Sequence, residues 1–170
     1  MSRADVKDYT EFSLPFSVVS KGDISRLVHE FDALDTLLTA ATVRNKTGSS
    51  DGGAPVLSLQ LQAFLDENPV DLDDIGARTT YIKQLQLLKK NIRVMNMTFA
   101  VTADPESLQQ LSAWLRASVH PQIVIDVHLQ PALVAGVYMR SQNRVFDFSV
   151  RNALVSKRSE LKKELEALRG

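Results

Sequence analysis

IVIDVHLQPALVAGVYMRSQNRVFDFSVRNALVSKRSELKKELEAL, running from Ile123 to Leu168, decides the fold. The apolar run Ile123–Leu129 is followed by a turn anchored on Pro131, and a second apolar run begins at the small pair Ala135-Gly136. The polar tetrad Ser141-Gln142-Asn143-Arg144 predicts a tight hairpin into a third short run. Asp147-Phe148-Ser149-Val150-Arg151 then opens a charged helix, with Ser149 as N-cap and Asp147 adding negative charge at the positive end. Strand, strand, hairpin and capped helix form a scaffold that presents surfaces to other polypeptides. Nothing in the stretch has the makings of an active site.

Upstream, Ile92–Val101 alternates through Val94, Met95, Met97 and Phe99 and reads as a buried strand. Asp104-Pro105 starts a helix, since the Asp carboxylate accepts from free N–H groups and Pro fits the first helical position. Leu108, Leu111, Trp114 and Leu115 are expected on its inner face, and it stops before His120-Pro121. From residue 92 the order is β-α-β-β-β-α. The fold class is α+β: a small mixed sheet with helices in the C-terminal half, and a mainly helical N-terminal half.

In that N-terminal half, residues 1–11 read as a loose charged leader, and Phe12–Ser20, interrupted by Pro15, as an edge strand or an extended anchor. Asp23 is expected to cap a helix reaching about Val43, with Ile24, Leu27, Val28, Phe31 and Leu34 on one face. Residues 44–55 form a turn-rich loop, Val56–Asp66 a short helix, and Asp71–Asn91 a longer one with Ile75, Ile82, Leu85 and Leu88 as its stripe. The expected domains are therefore 1–91 and 92–170.

Composition excludes several function classes. Formal net charge is zero over 170 residues, which argues against a general nucleic-acid or anionic-membrane binder. The balance is uneven, with 6 basic against 13 acidic residues in 1–76 and 8 against 4 in 140–170. With no cysteine, disulfides, thiol nucleophiles and thiolate metal sites are ruled out. No run approaches the roughly 18 apolar residues that span a bilayer, and MSRADVKDYTEF is too acidic and polar for a signal peptide, so a soluble protein is expected.

Candidate chemistry is sparse. Asp126 and His128 share one strand face, a pairing that suits a metal or a hydrolase or transferase site, but also two residues on the solvent side of a half-buried strand. Gly48, Gly52 and Gly53 lack the Lys-Ser/Thr and the strand-to-helix context of a phosphate loop. Asp73-Asp74 sit at a helix start, where they complement its dipole. Trp114 could anchor a partner, but its leucine neighbours favour a core position. No catalytic residue, cofactor, metal ligand or small-molecule substrate is assigned.

The last helix stands apart. Val150, Leu154, Leu161, Leu165 and Leu168 form a stripe among Lys, Arg and Glu, which suits packing on its own sheet or on a partner helix.

Taken together, Met97 to Leu161 resembles the C-terminal domain of the delta subunit of F-type ATP synthases, the oligomycin-sensitivity-conferring protein family. The carriers are Phe99-Ala100-Val101-Thr102-Ala103 before Asp104-Pro105, the strand and turn from Asp126 to Leu133, Ala135-Gly136 with the strand ending at Arg140, and Asp147-Phe148-Ser149-Val150-Arg151. Ala135 and Phe148 stand where the family has glycine, so position 148 is expected not to need a positive φ. Residues 1–91 offer about three helices rather than the family's six-helix bundle. The resemblance implies a non-catalytic peripheral-stalk connector that couples proton flow to ATP synthesis, peripheral to the cytoplasmic face of a bacterial membrane. It implies contact with catalytic-head alpha subunits, placed on Ile24, Leu27, Phe31 and Leu34, and with a stalk b subunit through the Val150–Leu168 stripe. The competing reading is a stand-alone interaction or regulatory adaptor on the same scaffold.

Overall fold

Ser20 and Asp23 close the start of the first helix reciprocally. The Asp23 amide donates to the Ser20 hydroxyl at 3.2 Å and the Ser20 amide to the Asp23 carboxylate at 2.8 Å. This is a capping box, so the cap is Ser20 and Asp23 is its partner inside the helix, correcting the assignment from sequence. The computed structural model describes residues 7–46, 56–141 and 144–167. Its helices are α1 (Lys21–Lys46), α2 (Leu59–Glu67), α3 (Ile75–Asn91), α4 (Pro105–Ser118), α5 (Val150–Ser156) and α6 (Arg158–Ala167). Its strands are β1 (Arg93–Phe99), β2 (Ile123–Leu129), β3 (Val137–Arg140) and β4 (Val145–Asp147). Thus α1 runs past the expected stop near Val43, and the rest of the 44–55 loop lies outside the described residues.

Backbone contacts divide the chain into two compact units. The first comprises Met1–Arg93 with Gln109–Val124, the second Val94–Leu108 with Ile125–Gly170.

The first unit is built on an aromatic cluster. The Tyr81 ring centroid lies 4.8 Å from Phe31, 5.1 Å from Phe12 and 6.5 Å from Phe64, and each such pair adds about 1 kcal/mol beyond its buried area. The Tyr81 hydroxyl donates to the Asn68 carbonyl, and burial pushes its pKa up. Ile24, Leu27, Phe31 and Leu34 of α1 are all buried here. Arg78 on α3 is also buried, its guanidinium donating to Asp35 and Thr39 of α1 and to the Leu72 carbonyl. The buried face of α3 is therefore Ala77, Arg78, Tyr81, Leu85 and Leu88, and Ile75 lies outside it, half exposed. Asp74 caps this helix by accepting from the Gly76 amide.

Phe12–Ser20 is an anchor that forms no strand and turns at Pro15–Val18, where the Val18 amide donates to the Pro15 carbonyl at 3.0 Å. Asn68 pairs with the Ser13 backbone twice, accepting from its N–H and donating to its carbonyl, both at 2.8 Å. Gln122 donates to the carbonyls of Tyr9 and Phe12, and Arg116 to those of Leu14, Pro15 and Val18. The expected leader is not loose where it is described: Lys7 reaches the Glu67 carbonyl, and Tyr9–Glu11 forms a 3-10 turn.

The second unit holds most of a four-stranded mixed sheet of order β2-β1-β3-β4, and α4 links β1 to its neighbour β2. β3 runs antiparallel to both β1 and β4, setting Met97 opposite Met139 and Met139 opposite Phe146. On α4, Asp104 caps as expected, accepting from the Glu106 and Ser107 amides. Its buried residues are Ser112 and Leu115, whereas Trp114 is 60% exposed. Leu108, Ser112 and Leu115 follow the four-then-three spacing of a single helical stripe, and Trp114 falls a residue short of it. The expected core tryptophan is therefore a surface residue.

Candidate partner-binding surface

A single glycine sets the corner from which α5 departs. Gly136 has φ +93°, and a Cβ there would meet the Phe148 carbonyl oxygen at 2.3 Å and the Ser149 Cα at 2.9 Å. Two backbone bonds hold the approach, Phe148 N–H to the Val137 carbonyl at 3.0 Å and Val150 N–H to the Ala135 carbonyl at 2.9 Å. Only a residue without a side chain lets the two strands of chain come this close. Just before it, Val134 is held at φ 68°, ψ −55°, with the Ala135 amide donating to the Leu133 carbonyl at 2.8 Å. That is a γ-turn in its strained form, on a β-branched residue.

Ser149 is buried and caps α5, accepting from the Asn152 amide at 3.2 Å. Its own amide donates to the Asp147 carboxylate at 2.9 Å. Hydrogen bonds from the Ser149 hydroxyl and amide, with Arg151 nearby, hold the Asp147 carboxyl below the usual carboxylate range. Ser107 and Glu106 do the same for Asp104. Asp104, Pro105, Gly136, Asp147 and Ser149 are thus cap and corner residues, while Arg140 and Arg151 lie exposed at the ends of β3 and α5. Phe148 has no positive φ, as its side chain requires, and its ring stacks on Phe146 at 6.2 Å with 4° between planes.

α5 leaves this corner with no buried residue. Val150 is 40% exposed, Leu154 53%, Val155 65% and Phe148 60%. Beside α5, Leu133, Tyr138, Asp147, Arg151 and Val155 line a cavity of about 300 Å³. The apolar side chains Val150, Leu154 and Val155 of α5 are therefore partly exposed. The expected rod is interrupted, since α5 ends at Ser156 and α6 begins at Arg158, with Lys157 between them. Leu161 and Leu165 lie on α6 with side chains outside the described set, and Leu168 lies outside the described residues.

The residues assigned to head contact fare differently. Ile24, Leu27 and Phe31 are 0% exposed and Leu34 3%, so they are committed to the core of the first unit and present nothing at a surface. The reason is the aromatic cluster, which completes that apolar face from within the same unit. Sequence reasoning also missed the Arg78–Asp35 pair, because a lone arginine on an amphipathic helix carries no sign of burial.

Asp126 and His128 form an exposed pair at 3.5 Å on β2. Neither lines the cavity beside α5. Among the described residues, no group of three or more His, Cys, Asp or Glu is placed to hold a metal ion, and no helix is long and apolar enough to cross a membrane.

Comparison with known proteins bears on the same region. The sequence model for the ATP synthase delta (OSCP) subunit matches residues 72–161, from the start of α3 through the sheet and into α6. An ATP synthase subunit delta from Dichelobacter nodosus is 33% identical over 75 residues. That stretch is 44% of this chain and 41% of the relative, so the match spans about two fifths of the relative's length.

Proposed function

The chain belongs to the ATP synthase delta (OSCP) subunit family, and from this premise we propose that it is a peripheral-stalk connector of an F-type ATP synthase. The rotor exerts torque on the catalytic head, and a stator must resist it through non-covalent joints. A connector for that task needs binding surfaces on a well-packed body and no chemistry of its own. The exposed apolar face of α5 carries the reading. Val150, Leu154 and Val155, with Phe148 beside them, offer the stripe a stalk b-type helix would cover, and Leu161, Leu165 and Leu168 extend it in sequence. Contact with the head alpha subunits falls to the outer surface of the first unit. The protein would sit at the cytoplasmic face of a bacterial membrane through the complex, and would couple proton flow to ATP synthesis without a catalytic role.

Capture of the purified synthase stalk by immobilised wild-type chain, against Leu154→Asp and Leu161→Asp, tests this. Binding lost in both variants, with unchanged circular dichroism, is the expected result. Equal capture by all three chains rejects the stalk surface, and failure of the wild type to co-purify with a synthase rejects the function in favour of a free-standing adaptor.

A further inference from the structure

We infer that the helix which covers α5 is acidic, and that basic residues bracketing the apolar stripe select it by charge. The inference rests on the stalk reading and adds to it the chemistry of the partner. From Arg140 to Arg158 the chain carries five basic residues, Arg140, Arg144, Arg151, Lys157 and Arg158, against one acid, Asp147. All five are exposed, and among the described residues none of them forms an ion pair. Asp147 does not balance them, because its carboxylate already accepts from the Ser149 amide at 2.9 Å. The next stretch is different. From Glu160 to Glu166 two lysines meet three glutamates, and Lys162 pairs with Glu166 at 3.8 Å.

The unpaired cations follow the apolar residues. On α5, Leu154 and Val155 stand three and four residues after Arg151, so the three share a face. Lys157 and Arg158 come at the end of that helix, where the Lys157 amide still donates to the Ala153 carbonyl at 3.2 Å. Leu154 and Val155, both more than half exposed, therefore have a cation before them and two behind. Arg151 and Val155 also line the cavity beside α5, together with Tyr138. Arg140 lies two residues beyond Tyr138, on the same face of β3.

Like charges set this close repel one another, and the free chain offers them no counter-charge. A wholly apolar helix laid on Leu154 and Val155 would strip water from the cations and give nothing back. A helix whose own apolar stripe is flanked by Asp or Glu removes the repulsion and gives the arginines carboxylates to grip. Pairs at such a rim add little to affinity. They speed encounter and turn away basic helices of the same shape. Formal net charge over the whole chain is zero, so the patch acts locally, on a partner helix, and not as the broad positive field that gathers nucleic acid or an anionic bilayer.

Association and dissociation rates of the full chain with purified synthase stalk, followed from low to high salt, test it. The wild-type association rate should fall about tenfold across that range. Arg158→Glu should slow association about tenfold at low salt and leave dissociation near wild type, whereas Leu154→Ala should speed dissociation instead. Lys83→Glu makes the same change in net charge at an exposed position of α3 and should alter neither rate. Binding that ignores both salt and Arg158→Glu overturns the inference and leaves the stalk reading standing. No binding at any salt overturns both. Capture of the chain by phosphatidylglycerol vesicles through Arg158, with stalk binding indifferent to that residue, assigns the patch to a lipid surface and also overturns the inference.

Discussion

Gly136 lies so close to Phe148 that a methyl group on its Cα would stand 2.3 Å from the Phe148 carbonyl oxygen. This contact decides where α5 begins and which way its apolar face looks. Gly136→Ala combines that clash with a φ of +93°, so the corner must open. A loss of about 3 kcal/mol is expected. Urea unfolding measures it, and partner capture through α5 should fall even where the variant remains folded.

Arg78 is buried at 1% exposure and relies on Asp35 for its only described ion pair. Removing the acid strands the cation. Asp35→Ala should therefore cost about 3 kcal/mol, and Arg78→Met with Asp35→Ala together should cost less than Asp35→Ala alone. A double variant no more stable than the single one would show that the pairing is not the source of the loss.

Neighbours on α4 give opposite expectations. The Ser112 hydroxyl is buried with no hydrogen-bond partner among the described residues, so Ser112→Ala should be neutral or raise stability by about 1 kcal/mol. Trp114, the sole tryptophan, is 60% exposed. Its emission should be red-shifted and readily quenched by iodide, and Trp114→Phe should leave the melting temperature unchanged. Blue-shifted, protected emission would contradict that placement.

Asp147 and Asp104 have folded pKa values depressed by cap hydrogen bonds. The sign follows from linkage: their contribution is fully present above the ordinary carboxylate value, about 4, and is lost as pH falls through the depressed folded value. Asp147→Asn should flatten that acid limb and leave stability near neutral pH lowered but pH-independent through Asp147. Stability profiles of wild type and variant between neutral pH and strong acid make the comparison.

Much of the second unit was legible because its signals are local. Asp104-Pro105 and Ser149 are caps whose chemistry lies within three residues of the helix they start, and Asp147 was placed correctly beside them. The strands showed as short apolar runs between turn formers. What failed depended on what lies opposite. Ile24 and Phe31 form an apolar stripe whether it faces a partner or Tyr81, and the stripe is identical in either case. Trp114 was misplaced because three leucines drew the face toward it, while Ser112, the true centre of that face, is polar. The break at Lys157 has no glycine or proline to announce it.

Finally, Tyr9 through Val18 are fastened by Arg116 and Gln122, side chains supplied about a hundred residues later in synthesis. As the chain leaves the ribosome, its opening segment must therefore wait, with those carbonyls on water, until most of the polypeptide has emerged. The first unit can settle only once the residues up to Val124 have emerged, and a nascent chain released before Arg116 would be handed to chaperones with Tyr9–Val18 unfastened.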